Sequence, residues 1–321
     1  MEVKTIGVLT SGGDAPGMNA AVRAVVRSAL RKGLKVIGVS RGYNGLINGD
    51  LIEMDMRSVS DIIQRGGTVL YTARCPEFRY EEGLQKAKKT CEDAGIDGLV
   101  VIGGDGSFRG AADLSARGIP CVGIPGTIDN DIACTDYTIG YDTAMNTAVE
   151  MVDKLRDTAQ SHDRCSVVEV MGRRAGYIAL NAGIACGASD ILVPEIKYDL
   201  DEIVDKMQQT QTNGKHHFII MVAEGVGNVN EIANYIESKT GIESRATILG
   251  HVQRGGSPTV RDRVAASRLG YQAVELLSRG IGNRVIGFQD NKVVDYDIQD
   301  ALQMKKPFEF DLYKIALTIS F

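Results

Sequence analysis

Three side chains that can do chemistry stand two residues apart in the stretch PGTIDND at residues 125–131. This stretch follows the apolar run 121–124, which is typical of a short buried strand. If the segment is extended, Thr127, Asp129 and Asp131 alternate onto one face. One carboxylate there can accept a proton from a substrate hydroxyl, and a second can help to hold a metal ion. Asp, Asn, Gly and Pro also form solvated turns, so both interpretations fit this stretch alone.

Two glycine-rich loops follow predicted strands and favour phosphate binding. The first, TSGGDAPGMN at residues 10–19, offers free N–H groups and the N-terminus of the next helix. The second, GGDGS at residues 103–107, surrounds Asp105 with glycines, and this carboxylate can ligate magnesium. The first loop does not spell G-x-G-x-x-G, which disfavours a dehydrogenase-type dinucleotide site. A tight strand-to-helix turn is its alternative.

The elements that must position these loops alternate between strand and helix patterns over the first half of the chain. Such alternation indicates βαβ units with a mainly parallel sheet, in which ligands bind at the carboxyl ends of strands. In the second half, the patterns predict a long helix over residues 141–156 and strands over 166–170, 191–195 and 218–222.

Composition narrows the function classes. A chain of 321 residues exceeds the usual single core, so two packed units are expected. The net charge of −5 disfavours a broad basic surface for nucleic acid or an anionic membrane. The six cysteines form no C-x-x-C pair, and no signal peptide or membrane span is predicted. We therefore expect reduced thiols, a cytoplasmic protein, and no membrane or nucleic-acid partner.

Five segments together resemble the ATP-dependent bacterial 6-phosphofructokinases, and the resemblance covers essentially the whole chain. GGDG alone occurs in several kinase-like families, whereas PGTIDND and GHVQRGGSP are specific. The resemblance implies an α/β fold of two Rossmann-like three-layer αβα units with mainly parallel sheets and the active site in the cleft between them. The implied ATP-binding domain is 1–140 plus 253–303, and the fructose 6-phosphate-binding domain is 141–252 plus 304–321. The five segments are residues 10–19, 103–107, 125–131, 171–173 and 251–258.

The resemblance implies the committed step of glycolysis, in which MgATP phosphorylates the 1-hydroxyl of fructose 6-phosphate to give fructose 1,6-bisphosphate and ADP. Asp129 matches the catalytic base, Thr127 a residue beside the transferring group, and Arg173 a cation that stabilises it. Asp105 matches the carboxylate linked to Mg²⁺. The matching ATP-binding residues are Gly13, Arg74, Cys75, Gly104, Asp105, Gly106 and Ser107. The matching sugar phosphate residues are Thr127, Asp129, Arg164, Met171, Gly172, Arg173, Glu224, Arg245, His251 and Arg254.

The resemblance also implies a homo-oligomer, typically a tetramer, because Arg164 and Arg245 match residues that reach a neighbouring subunit's active site. An effector site for ADP or phosphoenolpyruvate is implied as well. Three positions depart from its usual pattern: Met56 and Asn213 replace basic residues, and Ser189 replaces an acid. Fewer cations predict weaker or altered effector control. The matching effector residues are Arg23, Arg27, Asp61, Arg156, Lys215 and His217.

Two alternatives stay open at this stage. Relatives that use pyrophosphate tend to carry Asp in place of Gly106 and Lys in place of Gly126, so glycine at both positions favours ATP. A catalytically silent nucleotide or sugar phosphate sensor is the other alternative, and the intact Asp129, Asp105 and Arg173 argue against it. Taken singly, His251 or any one of the arginines is more commonly a structural or surface residue. Only their joint occurrence favours the site.

Overall fold

The computed structural model describes residues 3–320. Its contacts divide the chain into two compact units. The first unit contains residues 1–128, 132–143 and 254–306, and the second contains 129–131, 144–253 and 307–321. Relative to the boundaries expected from the sequence, residues 141–143 and 304–306 fall in the first unit, and residues 129–131 and 253 fall in the second.

Strands and helices alternate along most of the described chain. The strands are β1 (Thr5–Thr10), β2 (Lys35–Val39), β3 (Leu51–Glu53), β4 (Gly98–Gly103), β5 (Cys121–Pro125), β6 (Cys165–Val170), β7 (Asp190–Leu192), β8 (Phe218–Ala223), β9 (Ser244–Ile248), β10 (Arg284–Gln289) and β11 (Lys292–Asp297). The helices are α1 (Met18–Arg31), α2 (Gly42–Asn48), α3 (Glu81–Asp93), α4 (Asp105–Ser115), α5 (Tyr141–Ser161), α6 (Tyr177–Ala185), α7 (Leu200–Thr212), α8 (Val229–Thr240), α9 (Val260–Ser278), α10 (Ile298–Gln303) and α11 (Phe310–Ile319). Short 3₁₀ turns cover Pro76–Arg79 and Gly250–Arg254.

The first unit is built on a sheet with the strand order β11-β10-β5-β4-β1-β2-β3. The strands from β10 to β2 are parallel, and the edge strands β3 and β11 are antiparallel to their neighbours. Every residue of β1, β4 and β5 is buried, as expected for central strands of a parallel sheet. Helix α1 buries Met18, Val22, Val25 and Val26 at the spacing of one helix face. The carboxyl ends of β1, β4 and β5 therefore meet at one edge of the sheet.

The second unit contains a smaller sheet with the order β7-β8-β6-β9, whose strands are all parallel. Its core joins strand residues such as Val167 and Ile220 to helix residues such as Ile203, Ile232 and Ile236. The two mainly parallel sheets confirm the α/β class that the alternating pattern predicts. Among the described helices, none combines the length and the apolar character needed to cross a membrane.

Three local predictions were wrong. Helix α5 ends at Ser161 rather than near Arg156. Strand β7 covers Asp190–Leu192 rather than 191–195, since Pro194 has no N–H for a ladder hydrogen bond and the chain turns there. Residues 125–131 are not extended throughout: the chain bends at residues 128–129, and Asn130 has a φ of 51°. The strict alternation of residues 127, 129 and 131 onto one face therefore does not hold.

Candidate active site

The predicted ATP-binding loops lie at the carboxyl edge of the first unit's sheet. Gly13 follows β1, residues 104–107 follow β4, and Thr127 follows β5. These three strands are direct neighbours in the sheet. The fold thus brings together loops that are more than 100 residues apart in the sequence.

The first loop is anchored by polar contacts to its backbone. The hydroxyl of Thr72 donates to the Gly12 carbonyl oxygen at 2.7 Å, and the Nη1 of Arg254 donates to the Asp14 carbonyl oxygen at 3.1 Å. A Cβ on Gly13 would lie 2.5 Å from Arg254 Nη1, so a larger residue there would displace this guanidinium. Arg254, predicted to bind the sugar phosphate, is therefore placed against the ATP loop of its own chain.

Arg74 and Cys75 follow the segment held by Thr72. Arg74 is exposed, and Cys75 is half-buried at the start of the 3₁₀ turn Pro76–Arg79. Burial raises the pKa of the Cys75 thiol, which favours the neutral form. Both residues lie shortly after Thr72, whose hydroxyl anchors the first loop.

The second glycine loop, residues 103–107, is held in place by hydrogen bonds of buried side chains. The Ser107 hydroxyl donates to the Ser11 carbonyl oxygen at 3.1 Å and joins the two glycine loops. The Tyr43 hydroxyl donates to the Ser107 carbonyl oxygen at 2.5 Å, while its ring stacks on Phe78 with a centroid distance of 4.0 Å. Burial raises the pKa of Tyr43 well above its usual value, so it stays a donor. Ser107 thus helps to shape the loop through its side chain.

The glycines on either side of Asp105 are not required by the protein's own packing. A Cβ added at Gly104 or at Gly106 would meet no atom within 4 Å. Gly106 lies in the first turn of α4, where glycine costs about 1 kcal/mol relative to alanine. A glycine with no packing role at a helix start is consistent with space kept for a ligand.

The residues around Asp105 fit a magnesium ion that is shared with a phosphate ligand. Asp105 is a partly exposed carboxylate in the first turn of α4, beside the open space at Gly104 and Gly106. Within residues 3–320, no group of three or more His, Cys, Asp or Glu side chains could form a metal cage. Mg²⁺ is commonly held by one or two carboxylates together with substrate phosphates, which matches this donor set.

The loop after β5 is closed by the segment that precedes α5. The Thr138 hydroxyl donates to the Thr127 carbonyl oxygen at 2.6 Å, and the Ile139 N–H donates to the Pro125 carbonyl oxygen at 3.0 Å. Asp129, only 6% exposed, follows Thr127 on this loop. A Cβ on Gly126 would lie 3.1 Å from Ile102 and 3.3 Å from Met18, so packing alone already favours glycine there.

In the second unit, predicted sugar phosphate residues gather at the carboxyl edge of the small sheet. The loop at residues 171–173 follows β6, and Glu224 follows β8. The Glu224 Oε1 accepts the N–H groups of Gly172 at 3.1 Å and of Arg173 at 2.5 Å. Arg173 has a φ of 61° and an exposed side chain. Glu224 therefore holds the loop that presents Arg173.

The turn Gly250–Arg254, which carries His251, is joined to the same loop. The fully buried Gln253 accepts the N–H of Met171 through its Oε1 at 2.8 Å. Met171 is itself buried, and His251 is exposed. The carboxyl edge of the second unit thus combines Met171, Gly172, Arg173, Glu224 and His251.

Arg164 and Arg245 lie at the opposite, amino edge of the small sheet. Arg164 directly precedes β6, and Arg245 is the second residue of β9. Glu243 binds both: Arg164 Nε donates to its Oε2 at 2.7 Å, and Arg245 Nε donates to its Oε1 at 2.9 Å. These contacts hold the pKa of Glu243 below its usual value. Since β6 has six residues, about 20 Å of strand separates these arginines from the loop at residues 171–173.

The predicted effector residues are divided between the units. In the first unit, Arg23 and Arg27 lie on α1, and the exposed Asp61 has a φ of 53°. The half-buried Met56 and, in the second unit, the exposed Asn213 are two of the departures from the usual pattern.

In the second unit, Arg156, Lys215 and His217 form a basic cluster. Arg156 donates to the Cys186 carbonyl oxygen, and Lys215 Nζ donates to the buried Ser189 hydroxyl at 3.2 Å. Burial and the neighbouring Arg156 lower the pKa of both Lys215 and His217. An anionic ligand would relieve this repulsion.

Sequence reasoning missed several residues that shape these sites. Tyr43, Gln253, Glu243 and Asp262 are polar side chains that support predicted site residues or their loops. Gln253 stands inside the specific segment GHVQRGGSP, which was a usable signal. The other three stand in no recognisable motif, and each has at least one partner distant in the sequence, so only the fold reveals them.

Comparison with known proteins agrees with this geometry. A model of the phosphofructokinase family matches residues 5–277. A curated Clostridium botulinum protein named ATP-dependent 6-phosphofructokinase is 60% identical over 318 residues, which cover 99% of this chain and 100% of that protein. The structure of phosphofructokinase from Saccharomyces cerevisiae superposes with a TM-score of 0.92 at 35% identity, over 98% of this chain and 50% of the yeast chain.

A third comparison concerns a pyrophosphate-dependent phosphofructokinase from Marinobacter aquaeolei. Its structure superposes with a TM-score of 0.85 over 99% of this chain and 91% of that chain, at 21% identity. This likeness shows the shared fold alone. The choice between ATP and pyrophosphate as phosphoryl donor has to be argued from the residues of the site. By its family match and its full-length relatives, the chain belongs to the phosphofructokinase family.

Proposed function

We propose that this chain catalyses phosphoryl transfer from MgATP to the 1-hydroxyl of fructose 6-phosphate, giving fructose 1,6-bisphosphate and ADP. The observation that carries the proposal is the order β5-β4-β1 in the first unit's sheet. This order puts two phosphate-type glycine loops beside the loop that leads to Asp129. Substrate phosphates and a base can meet at this edge, as phosphoryl transfer requires.

The proposed roles follow from the position of each side chain. Asp129 accepts the proton of the attacking hydroxyl, and Thr127 lies beside the transferring group. Arg173 stabilises the charge on the phosphoryl group, and Glu224 keeps Arg173's backbone in place. Asp105 is the residue that would hold Mg²⁺, and the ion would supply charge neutralisation for the phosphates.

ATP is proposed to lie along Gly13, Arg74, Cys75 and residues 104–107. The hydroxyl of Ser107 joins the two glycine loops, and the guanidinium of Arg254 holds the backbone of the first loop. The open space at Gly106 supports a nucleotide, because an Asp side chain there would repel the α-phosphate of ATP. Gly126 is weaker support for ATP as the donor. Ile102 and Met18 crowd this position, so packing already accounts for a glycine there.

Fructose 6-phosphate is proposed to bind Met171, Gly172, Arg173, Glu224 and His251 on one chain and Arg164 and Arg245 of a second copy. The support for a second copy is topological: these two arginines lie at the amino edge of the sheet, about 20 Å of strand away from residues 171–173. Planar guanidinium groups suit a phosphate dianion, since each donates two aligned charged hydrogen bonds. The enzyme is then a homo-oligomer, and we propose a tetramer.

Effector control by ADP or phosphoenolpyruvate is proposed at the residues Arg23, Arg27, Asp61, Arg156, Lys215 and His217. Ser189 gives Lys215 a neutral partner where an acid is usual, and Met56 and Asn213 add no charge. We expect a weak shift of the fructose 6-phosphate saturation curve when either effector is titrated. A strong sigmoidal shift at ordinary effector levels would contradict this expectation.

The cytoplasm is the proposed location. All six cysteines are free thiols, and five of them are buried, which suits a reducing compartment. Cell fractionation with an antibody against the chain would test this assignment, since recovery with the membrane or secreted fraction opposes it.

A coupled assay with fructose 6-phosphate, Mg²⁺ and either ATP or pyrophosphate tests the function. The expected result is turnover with ATP and none with pyrophosphate. Turnover with pyrophosphate would overturn the argument from Gly106. A folded, oligomeric protein that turns over neither donor would favour a nucleotide or sugar phosphate sensor.

A further inference from the structure

A buried carboxylate outside the proposed chemistry lies at the start of α9. Asp262 is fully buried in the first turn of this helix. Its Oδ1 accepts the Gly140 N–H at 2.7 Å and the Tyr137 hydroxyl. Its Oδ2 accepts the N–H of Thr143 at 2.9 Å and the hydroxyl of the same residue at 2.5 Å. One carboxylate thus ties down four donors from a single segment, residues 137–143.

Such an arrangement is costly unless the carboxylate is fully hydrogen-bonded, because burial disfavours a charged group. The four donors are neutral, and the nearby cation Arg261 stacks on the Tyr137 ring at 4.4 Å from its centroid. Thr259 caps α9 through its side chain and also donates its N–H to the Thr143 hydroxyl at 3.0 Å. The start of α9 and the segment 137–143 therefore form one hydrogen-bonded block.

This block continues directly to the loop after β5. Thr138, one residue beyond Tyr137, donates its hydroxyl to the Thr127 carbonyl oxygen at 2.6 Å. Ile139 donates its N–H to the Pro125 carbonyl oxygen at 3.0 Å and forms a parallel bridge with Gly126. Residues 125–127 are therefore held on one side by the segment that Asp262 fixes.

We propose that Asp262 is a positioning residue, which fixes residues 137–143 and through Thr138 sets the backbone of Thr127 at the start of the loop that carries Asp129. Asp262 touches no substrate in this proposal and acts through Thr138. The consequence for turnover rests on the proposed kinase function, whereas the consequence for loop order does not. The two are therefore measured separately.

Loop order is measured by hydrogen–deuterium exchange of the peptide that contains residues 125–131, in the full-length protein. The test variant is Thr138→Val, which keeps the side-chain shape and removes the donor to Thr127. Thr138→Ser keeps a hydroxyl and serves as the conservative rescue. Thr90→Val is the matched control, because the Thr90 hydroxyl bonds only one turn back to the Lys86 carbonyl oxygen on the exposed face of α3.

The expected result is faster exchange of the 125–131 peptide in Thr138→Val and in Asp262→Asn, with wild-type exchange in Thr138→Ser and Thr90→Val. In the ATP assay, Thr138→Val is expected to lower kcat about tenfold and Asp262→Asn about a hundredfold, since a misplacement of about 1 Å can cost about a hundredfold in rate. The KM for ATP should stay within about twofold, because the glycine loops keep their own contacts. The effects of the two substitutions should be less than additive when combined, since both act through one block.

Unchanged exchange of the 125–131 peptide in Thr138→Val would overturn the proposal, whatever the activity. Normal kcat in Thr138→Val with altered exchange would overturn the catalytic consequence. Should Asp262→Asn fail to fold, Thr138→Val decides alone. A wild-type enzyme without turnover would refute the proposed function, and the exchange measurement would still decide the role of Asp262.

Discussion

Asp129 is the residue on which the proposed chemistry depends most directly. It is only 6% exposed and lies in the bend at residues 128–129, so the loop holds its carboxylate in a restricted position. Removing a general base costs about 10²–10⁴-fold in rate, and the loss is confined to the transition state. We expect Asp129→Ser to lower kcat by this factor with a modest change in the KM for fructose 6-phosphate.

Steady-state kinetics with both substrates varied would measure this effect. Asp113→Ser is the matched control, because Asp113 is an exposed acid on α4, beyond the glycine loop at residues 103–107. A near-normal kcat in Asp129→Ser, with the control also normal, would remove Asp129 from the role of base.

Gly106 allows the donor argument to be tested at a single position. Because a Cβ there meets no protein atom, both Gly106→Ala and Gly106→Asp should fold. Alanine should raise the free energy of unfolding by about 1 kcal/mol, as glycine in a helix costs that much. Aspartate, also favourable in a first helical turn, should raise the KM for ATP about tenfold over alanine through repulsion of the phosphates.

Thermal unfolding and the KM for ATP of the two variants would be compared. Equal KM values for Gly106→Ala and Gly106→Asp would mean that no phosphate approaches this position. Gly126 offers no such test, since its neighbours Ile102 and Met18 would have to move for any side chain. From the sequence alone the two glycines look equivalent, and only the packing distinguishes them.

At the scale of the elements, the sequence predicted which loops follow strands, and so which loops meet at one edge of a sheet. Buried strands such as β4 are continuous apolar runs that end in glycine, and this pattern is local. The path of residues 125–131 was not predictable in the same way. Its bend depends on contacts with Thr138 and Ile139, beyond the end of the loop. The residues of this stretch fit both an extended chain and a turn, and the contacts that accompany the turn come from outside the stretch.

The basic cluster between α5 and the start of β8 predicts how effector binding responds to pH. Burial, Arg156 and Lys215 lower the pKa of His217, while Asp163 opposes them. The imidazole is therefore neutral in the free protein at pH values where an ordinary histidine is partly charged. A bound phosphate-bearing effector stabilises the imidazolium and raises this pKa, so binding takes up a proton and strengthens as pH falls through that range.

An NMR titration of the His217 ring would measure this shift with and without phosphoenolpyruvate. The chain has four histidines, so His217→Gln assigns the resonance, and the exposed His162, which directly follows α5, is the internal control. An upward shift of the His217 pKa with an unchanged His162 is expected. An identical titration of His217 in both states would show that no anion binds near it.

At the scale of the whole molecule, the amino and carboxyl edges of one small sheet carry the two groups of residues that we propose form the sugar phosphate site. Glu243 holds Arg164 and Arg245 at one edge, and Glu224 holds the loop at residues 171–173 at the other. The six residues of β6 span about 20 Å, so the two groups of residues lie that far apart within one chain. Family resemblance predicts that the arginines serve another subunit, and the parallel register of β6 and β9, which places both at the amino edge, supports this proposal.

Subunit complementation tests this division directly. In the proposed oligomer, one site takes Asp129 from one chain and Arg164 from its neighbour. Asp129→Ser alone and Arg164→Ala alone should both be nearly inactive with fructose 6-phosphate. In a mixed pair of these variants, one of the two sites regains both residues. Random mixing at equal amounts makes half of the pairs mixed, so about a quarter of wild-type activity should return.

The two variants would be co-expressed in equal amounts with the same affinity tag, and the whole mixed population would be purified and assayed. The matched control mixes Asp129→Ser with Glu224→Ala. In the proposed oligomer, Asp129 and Glu224 of one site come from the same chain, so each site of a mixed pair lacks one of them and no activity returns. Activity would return in this control only if Asp129 and Glu224 came from different chains. Recovery in the Arg164 pair and none in the Glu224 pair requires that the arginines act across a subunit boundary. Equal activity in both mixtures would place Arg164 in its own chain's site, and the edge-to-edge argument would then fail.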